Sequence, residues 1–289
     1  MIATVPVESV ADTALLTAHF RALETDRPDA HFFDPFARML TGERGPELVK
    51  RLPDPSLTAA SCIVRTCVFD ELIIQGIAEN GVDTVVNLGA GLDTRPYRLS
   101  LPASLTWIEV DAAEVLAYKK SKLRGCAPMC TLEAEHLDIT DADERRGFLD
   151  RLCERANRAL VLTEGLLTYL TREQVACLAS DLARPQFKWW LTDIVSSTAL
   201  RLMGSRTETS LAPCPEVRLQ FAPEEGTDFF QPYGWNAVEF RSYEEESRRL
   251  NRWELPPWLL ISHILGWPWL ASWLYAIIKL EGTERAALG

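Results

Sequence analysis

The residues best suited to chemistry lie in one glycine-rich turn within VVNLGAGLDTRPYRL, residues 85–99. An apolar run, predicted to be a buried strand, ends there at Gly89-Ala90-Gly91. Glycines at such a position let the backbone turn tightly and approach a ligand with no Cβ in the way. Because ligands of open α/β sheets bind at the carboxyl ends of strands, the turn predicts a ligand site.

The third glycine of a dinucleotide fingerprint is absent, because Thr94 stands at its position. That glycine serves close packing of helix and strand beneath a pyrophosphate. A ligand without phosphates relaxes this demand. S-adenosylmethionine has an adenosine, a sulfonium and an amino-acid tail but no phosphate. The turn therefore favours an adenosyl ligand and disfavours an NAD-dependent oxidoreductase.

An acid follows at the end of the next predicted strand, in WIEVDAAEV, residues 107–115. Asp111 stands twenty positions after Gly91, the interval expected for a carboxylate that binds ribose hydroxyls. Glu109 and Asp111 share one face of the strand, since side chains alternate. The alternative is a structural glycine turn followed by a solvated aspartate.

The elements that must position these residues alternate between strand and helix from residue 82 to 195. This order predicts a doubly wound α/β sheet, mostly parallel, possibly with an antiparallel edge. Capping boxes predict helix starts at Ser9, Thr140, Thr171 and Ser242, and Asn80-Gly81 predicts a helix end. The predicted helices are 10–24, 58–79, 141–157, 172–183 and 243–251; the predicted strands are 84–88, 106–110, 130–137, 159–163, 189–194, 237–241 and 275–280.

A single domain spanning residues 1–289 is the simplest organisation. It would comprise a helical N-terminal extension (1–80), a ligand-binding core (81–195), a lid or substrate excursion (196–236), and C-terminal strands with a tryptophan-rich wall (237–289). Long excursions inside compact domains are usually functional. The apolar stretch 256–280 is interrupted by Pro256-Pro257 and Gly266-Trp267-Pro268, which favours a pocket-lining segment over a membrane span.

Composition narrows the partners. The net charge is −11 and the pI about 5.0, which disfavours nucleic acids and anionic membranes as partners and mildly favours a cationic ligand. Seven cysteines without a C-x-x-C pair indicate reduced thiols in a cytoplasmic protein, with no metal site expected. The N-terminal stretch lacks the pattern of a signal peptide.

Several sequence blocks together resemble the leucine carboxyl methyltransferase-type class I methyltransferases. The resemblance is greatest to the bacterial polyketide O-methyltransferase branch. It implies a Rossmann-like, seven-stranded fold, S-adenosylmethionine as cofactor, and O-methylation. The blocks appear in order as RALETDRPDAHFFDPFA, SCIVRTCVFDELI, VVNLGAGLDTRPYRL, WIEVDAAEV, HLDITD, LVLTEGLLTYL, GWNAVEFRSYEEESRRL and AIIKLEG.

The resemblance assigns roles to individual residues. Arg65 would hold the methionine carboxylate, Asp138 and Ile139 would flank the adenine, and Glu164 would face the amino group of the cofactor and the reaction chamber. Without the resemblance, Asp138 would belong to the helix cap at Thr140. The implied cofactor-binding set is Arg65, Gly89, Ala90, Gly91, Asp111, Asp138, Ile139 and Glu164.

Other parts of the site are less defined by the resemblance. Asp93 and Arg95 are expected to brace the turn. The family's early basic contact to the cofactor has no clear match, although His31 and Arg27 are nearby in sequence. His136, two positions before Asp138, is expected to be a core or surface histidine.

The predicted reaction is methylation of a carboxylate, or of a hydroxyl, on a small secondary metabolite such as a polyketide. A carboxylate is ionised at neutral pH and needs no base, whereas a phenol benefits from one. The alternatives are methylation of a protein C-terminal carboxylate and a non-catalytic S-adenosylmethionine-binding module. Catalytic candidates are Glu164 and Tyr169; candidates for contact with an acid or phenol acceptor are Arg201, Arg206, Arg218, Trp235, Trp258, Trp267 and Trp269.

Overall fold

A computed structural model describes residues 10–52, 54–200, 219–252 and 275–283 of the chain. Its centre is a seven-stranded sheet of order β3-β2-β1-β4-β5-β7-β6. Strands β1 to β5 are parallel, and β7 is antiparallel to both of its neighbours. The predicted α/β fold is confirmed. The strands are β1 Thr84–Leu88, β2 Thr106–Asp111, β3 Thr131–His136, β4 Ala159–Thr163, β5 Phe187–Val195, β6 Trp235–Ser242 and β7 Tyr275–Gly282.

The two central strands, β1 and β4, are buried along their whole length. Side chains alternate between the two faces of a strand. Val85 and Leu160 accordingly join one hydrophobic cluster, while Val86 and Val161 join another on the opposite face. The core therefore consists of two layers separated by the sheet, and only the strand ends are left to bind a ligand.

The helices begin and end largely where the sequence predicts. Thr171 caps its helix with a full capping box, and Gly81 ends another in the left-handed conformation. Helix 142–153 differs: Asp141, not Thr140, caps it, and it ends at Cys153 instead of residue 157. The helices are α1 Val10–Thr25, α2 Ala37–Thr41, α3 Arg44–Val49, α4 Pro55–Asn80, α5 Arg95–Arg98, α6 Ala113–Lys122, α7 Ala142–Cys153, α8 Arg172–Leu182 and α9 Tyr243–Arg249.

The C-terminal strands depart from the prediction in two respects. The antiparallel strand, β7, is not at the edge but lies between β5 and the edge strand β6. Strand β6 begins at Trp235, inside the predicted excursion, after a 3₁₀ segment at Gly226–Tyr233. Within the described residues, no helix is long and apolar enough to cross a membrane. Of the apolar stretch 256–280, residues 275–280 belong to β7 and the rest lie outside the description.

Candidate active site

The glycine turn after β1 has the conformation that its sequence predicts. Gly89 and Gly91 have φ of +69° and +49°, in the left-handed region. The amides of Gly89 and Ala90 both donate to the Val110 carbonyl at the end of β2, at 2.8 and 3.1 Å. A Cβ added at Gly89 would lie 3.2 Å from Leu166 Cδ1. Any other residue at Gly89 would therefore combine backbone strain with crowding.

Thr94 explains how the turn dispenses with a third glycine. Its side chain is fully buried, and its hydroxyl donates to Asp34 Oδ2 at 2.6 Å. Asp34 also accepts from Arg21 Nε at 2.9 Å, and Arg21 Nη2 donates to the Leu92 carbonyl at 2.6 Å. Thr94 and Arg21 thus bind the turn to the N-terminal helices.

Arg21 and Asp34 were not predicted to have a role, although both lie in the block RALETDRPDAHFFDPFA. Burial would raise the pKa of Asp34, but Arg21 and the other donors around it lower the pKa below its usual value. Asp34 is therefore an ionised carboxylate inside the protein. The family's early basic contact to the cofactor has no clear match in the sequence, and His31 and Arg27 are the basic residues named near it. In the structure, His31 Nε2 lies 2.5 Å from the Leu250 carbonyl oxygen, and Arg27 pairs with Asp29.

The two acids at the end of β2 have different surroundings. Glu109 is buried and receives a hydrogen bond from Lys119 Nζ at 2.6 Å. Asp111 is only partly buried, and its two oxygens accept from the amides of Gly91 at 2.6 Å and Ala112 at 2.7 Å. Burial raises the pKa of both groups. Glu109 is enclosed in the core, so only Asp111 lies at the turn.

The end of β3 adds the residues predicted to flank adenine. Asp138 is exposed, and its Oδ1 accepts from the Thr140 amide at 2.8 Å and hydroxyl at 2.7 Å, which lowers its pKa. Ile139 is half-buried against the core. His136 is exposed and pairs with Asp111 in the sheet, which places this segment beside the acid. A surface histidine was one of the two predicted settings.

Glu164 follows β4 at the centre of a charged cluster formed by Arg65, Asp70, Asp93, Arg95, Arg98, Glu164 and Asp193. Its Oε1 accepts from Arg65 Nε at 3.0 Å and its Oε2 from Arg95 Nη1 at 2.7 Å. Burial would raise the pKa of Glu164, but Arg95 and Arg65 outweigh it and lower that pKa. Glu164 is therefore a carboxylate with both oxygens engaged.

Arg95 also holds two other acids of the charged cluster, Asp70 and Asp93. Its Nε donates to Asp70 Oδ1 at 2.6 Å and its Nη1 to Asp93 Oδ2 at 3.2 Å, while Asp93 Oδ1 accepts from the Arg95 amide at 2.9 Å. Although burial opposes it, Arg95 lowers the pKa of Asp93 to about 2. The predicted bracing of the turn by Asp93 and Arg95 is thus present.

Arg65 lies on the far side of Glu164. Its Nη1 donates to Asp193 Oδ2 at 3.2 Å and to Tyr275 Oη at 3.5 Å. Gly165, with φ of +67°, makes room for it, because a Cβ there would lie 3.0 Å from Arg65 Nη1. Arg65 Nη2 makes no hydrogen bond to the residues that the structure describes. Among these residues, Nε and Nη1 are therefore the guanidinium nitrogens that have partners.

Tyr169, the second catalytic candidate, ends a 3₁₀ turn after β4. Its ring is half-buried against an apolar cluster that includes Leu16 and Cys62, and its hydroxyl hydrogen-bonds Thr13 of α1. Burial raises its pKa. Tyr169 therefore contacts the N-terminal helix at the edge of the charged cluster.

The structure gives less support to the residues predicted to contact the methyl acceptor. Trp235 is fully buried, donates from Nε1 to the Ala179 carbonyl at 2.9 Å, and packs edge-on against Trp190. The prediction that it lines an acceptor pocket is wrong, because it belongs to the core. The remaining candidates lie outside the described residues: Arg201, Arg206, Arg218, Trp258, Trp267 and Trp269.

The geometry fits a cationic adenosyl amino acid. Asp111 lies at the glycine turn, where a ribose would meet a carboxylate, and Arg65 offers an open Nη2 for an anionic group. The charged cluster has four carboxylates against three guanidiniums, so its formal charge is one negative. Such a field favours a positively charged ligand.

Comparisons with known proteins point to one family. The family model for leucine carboxyl methyltransferase matches residues 14–183. A relative from Parafrankia is 36% identical over 187 residues, which cover 61% of this chain and 59% of that protein. A relative from Mycobacterium avium is 33% identical over 229 residues, covering 73% and 68%. Both bear the name "Putative S-adenosyl-L-methionine-dependent methyltransferase".

Solved structures support the fold. A structure from Thermobifida fusca, described as a "putative methyltransferase", superimposes with a TM-score of 0.59 at 16% identity; the match covers 98% of this chain and 97% of that one. A protein of the DUF574 family from Streptomyces avermitilis also gives 0.59, at 11% identity, with 93% and 97% covered. The class I arrangement of the sheet is shared across almost the whole chain.

Proposed function

This chain belongs to the leucine carboxyl methyltransferase family, and we propose that it transfers the methyl group of S-adenosylmethionine to an oxygen atom of a small acceptor. The relatives' names support the cofactor. The observation that carries the proposal is that Asp111 and the glycine turn meet at the carboxyl ends of two adjacent strands, while Arg65, in the first half of α4, pairs with Glu164 at the end of β4. This chain spans 59% of the length of the Parafrankia relative. For that reason, the proposed activity is argued from the residues of this chain's own site.

The donor would be held at its two polar ends. Asp111 would accept from the ribose hydroxyls, and Arg65 Nη2 would donate to the amino-acid carboxylate, a pairing that suits a planar guanidinium. Gly89, Ala90 and Gly91 would border the ribose and the methionyl part. Asp138 and Ile139, which follow the neighbouring strand β3, would border the adenine.

When bound, S-adenosylmethionine supplies a methyl group on a positively charged sulfur, which is already a strong electrophile. The protein's contribution is then alignment, and proximity with orientation can lower a barrier by about 7–11 kcal/mol. The ion pairs from Glu164 to Arg65 and Arg95 would fix the positions of these side chains relative to the donor. They favour a positioning role for Glu164 over proton transfer.

A carboxylate is the acceptor that the site supports best. It is ionised at neutral pH and requires no general base. The two predicted catalytic residues are poor bases, because Glu164 has a lowered pKa with both oxygens paired, and burial raises the pKa of Tyr169. We therefore propose methyl-ester formation on a small acid, with a polyketide-type secondary metabolite as the class to test.

The test is incubation of the purified chain with radiolabelled S-adenosylmethionine and a metabolite extract of its own cells, followed by mass analysis of labelled products. The proposal predicts a labelled small molecule that base hydrolyses to the free acid. Asp111→Ala, run in parallel at a donor concentration below saturation, should reduce the signal. Label on protein instead would establish methylation of a protein carboxylate, and binding without turnover would establish a binding module.

A further inference from the structure

Two residues outside the range matched by the family model contact Arg65 from the C-terminal part of the sheet. Asp193 lies near the end of β5 and Tyr275 at the start of β7, whereas the family model matches only residues 14–183. In the antiparallel pair of β5 and β7, Val195 is directly opposite Tyr275, so these two side chains lie on the same face of the sheet. Asp193 is two residues before Val195 on β5 and therefore lies on that face as well. The register thus brings both side chains to the charged cluster.

Asp193 connects three parts of the site. Its Oδ1 accepts from the Gly165 amide at 2.6 Å, and its Oδ2 accepts from Arg65 Nη1 at 3.2 Å and from the Tyr275 hydroxyl at 2.8 Å. The carboxylate is buried, with 7% of the residue exposed. Asp193 therefore fixes the distance between Arg65 and the backbone that follows Glu164.

Tyr275 completes the arrangement. Its hydroxyl donates to Asp193 and accepts from Arg65 Nη1 at 3.5 Å, so that both roles of the oxygen are used. With Nε on Glu164 and Nη1 on Asp193 and Tyr275, the guanidinium plane is fixed at two of its three nitrogens. The third nitrogen, Nη2, has no hydrogen-bond partner within the part of the chain that the structure describes.

We propose that Asp193 and Tyr275 are positioning residues that orient Arg65 toward the carboxylate of the methyl donor. The inference rests on the proposed function. It assigns to the C-terminal antiparallel strand a part in donor binding. Neither residue contacts the donor in this proposal, and both act through Arg65. Their loss should therefore be felt only by ligands that carry the amino-acid carboxylate.

Two ligands separate this role from a general structural one. S-adenosylhomocysteine has the amino-acid carboxylate, and methylthioadenosine has the adenosine and sulfur without it. Tyr275→Phe keeps the ring and removes the hydroxyl. Loss of a hydrogen bond of ordinary strength predicts about threefold to tenfold weaker binding of S-adenosylhomocysteine in calorimetry. Binding of methylthioadenosine should be unchanged.

A double-variant cycle makes the test independent of folding defects. In an Arg65→Lys background, Tyr275→Phe should have no further effect on S-adenosylhomocysteine, because its target is gone. Tyr118→Phe is the matched control, since it removes a tyrosine hydroxyl that donates to the Leu40 carbonyl at 2.7 Å. It should leave both affinities unchanged.

Equal weakening of both ligands by Tyr275→Phe, no weakening of either, or full additivity with Arg65→Lys would overturn the inference. Asp193→Asn, which keeps the shape of the side chain, should show the same ligand selectivity with a larger loss. Failure of the wild-type chain to bind S-adenosylhomocysteine would overturn the proposed function itself, and the inference with it.

Discussion

The two ends of the proposed donor site differ in the chemical groups that form them. At the ends of β1 and β2, backbone amides and one carboxylate form the site, with Asp111 held by Gly91 and Ala112. Beside it, Glu164 and Asp193 at the ends of β4 and β5 pair with charged side chains from α4 and from the segment after the glycine turn, and Glu164 joins two arginines. The first end depends on backbone shape and the second on charge balance. Substitutions at the two ends should therefore fail in different ways.

The largest effect should come from removing Arg95, which lies within the charged cluster. Arg95→Met would leave Asp70, Asp93 and Glu164 without a shared partner. Breaking a buried ion pair in this way costs about 3–5 kcal/mol in the free energy of unfolding, measurable by urea denaturation. Arg155→Met breaks an exposed pair with Glu133 and should cost about 0–1 kcal/mol. Similar costs for both variants would contradict the comparison.

Acid should weaken the same end of the site. The folded-state pKa of Asp93 is lowered to about 2 from 3.8. Its stabilising contribution is therefore complete above pH ~4 and is lost as the pH falls toward ~2, a total of about 2 kcal/mol. Asp93→Asn should be less stable at neutral pH and should show a shallower loss of stability over this range in pH-dependent denaturation. An unchanged slope would show that Asp93 does not carry this sensitivity.

A smaller effect should appear at the backbone-built end. Asp111→Ala should weaken S-adenosylhomocysteine and methylthioadenosine alike, by about tenfold, because each contains the ribose. Folding should be largely retained, since Asp111 is only partly buried. Glu109→Gln is the contrasting variant on the same strand. Glu109→Gln should lower the free energy of unfolding, because Lys119 loses its ion pair, and should leave donor affinity unchanged. Weaker donor binding by Glu109→Gln, together with unchanged binding by Asp111→Ala, would show that Glu109 and not Asp111 binds the ribose.

The backbone-built end is also the end that the sequence predicts best. Strands β1 and β4 have the predicted bounds, because continuous apolar runs between turn residues admit few alternatives. Glu109 and Asp111 cannot be told apart from the sequence, because side chains alternate along a strand and both acids lie on the same face of β2. Only the packing of Lys119 against Glu109 in the folded protein distinguishes them. Thr140 has the spacing of a cap, but its amide and hydroxyl are taken by Asp138, and Asp141 caps the helix.

The charged end is less predictable, because its members come from elements far apart in the chain. Asp193 has one available signal, an acid within the apolar run KWWLTDIV, which indicates a buried carboxylate in need of a partner. Tyr275 has none, since a tyrosine that opens an apolar strand is ordinary. The links among Arg21, Asp34 and Thr94 likewise depend on where the N-terminal helices pack.

The most direct test of the central claim is a crystal structure of this chain grown with S-adenosylhomocysteine. The account predicts the ligand over Gly89–Gly91, with its ribose hydroxyls on Asp111 and its amino-acid carboxylate on Arg65 Nη2. A ligand bound elsewhere, or a carboxylate turned away from Arg65 while Glu164 keeps both arginines, would contradict it.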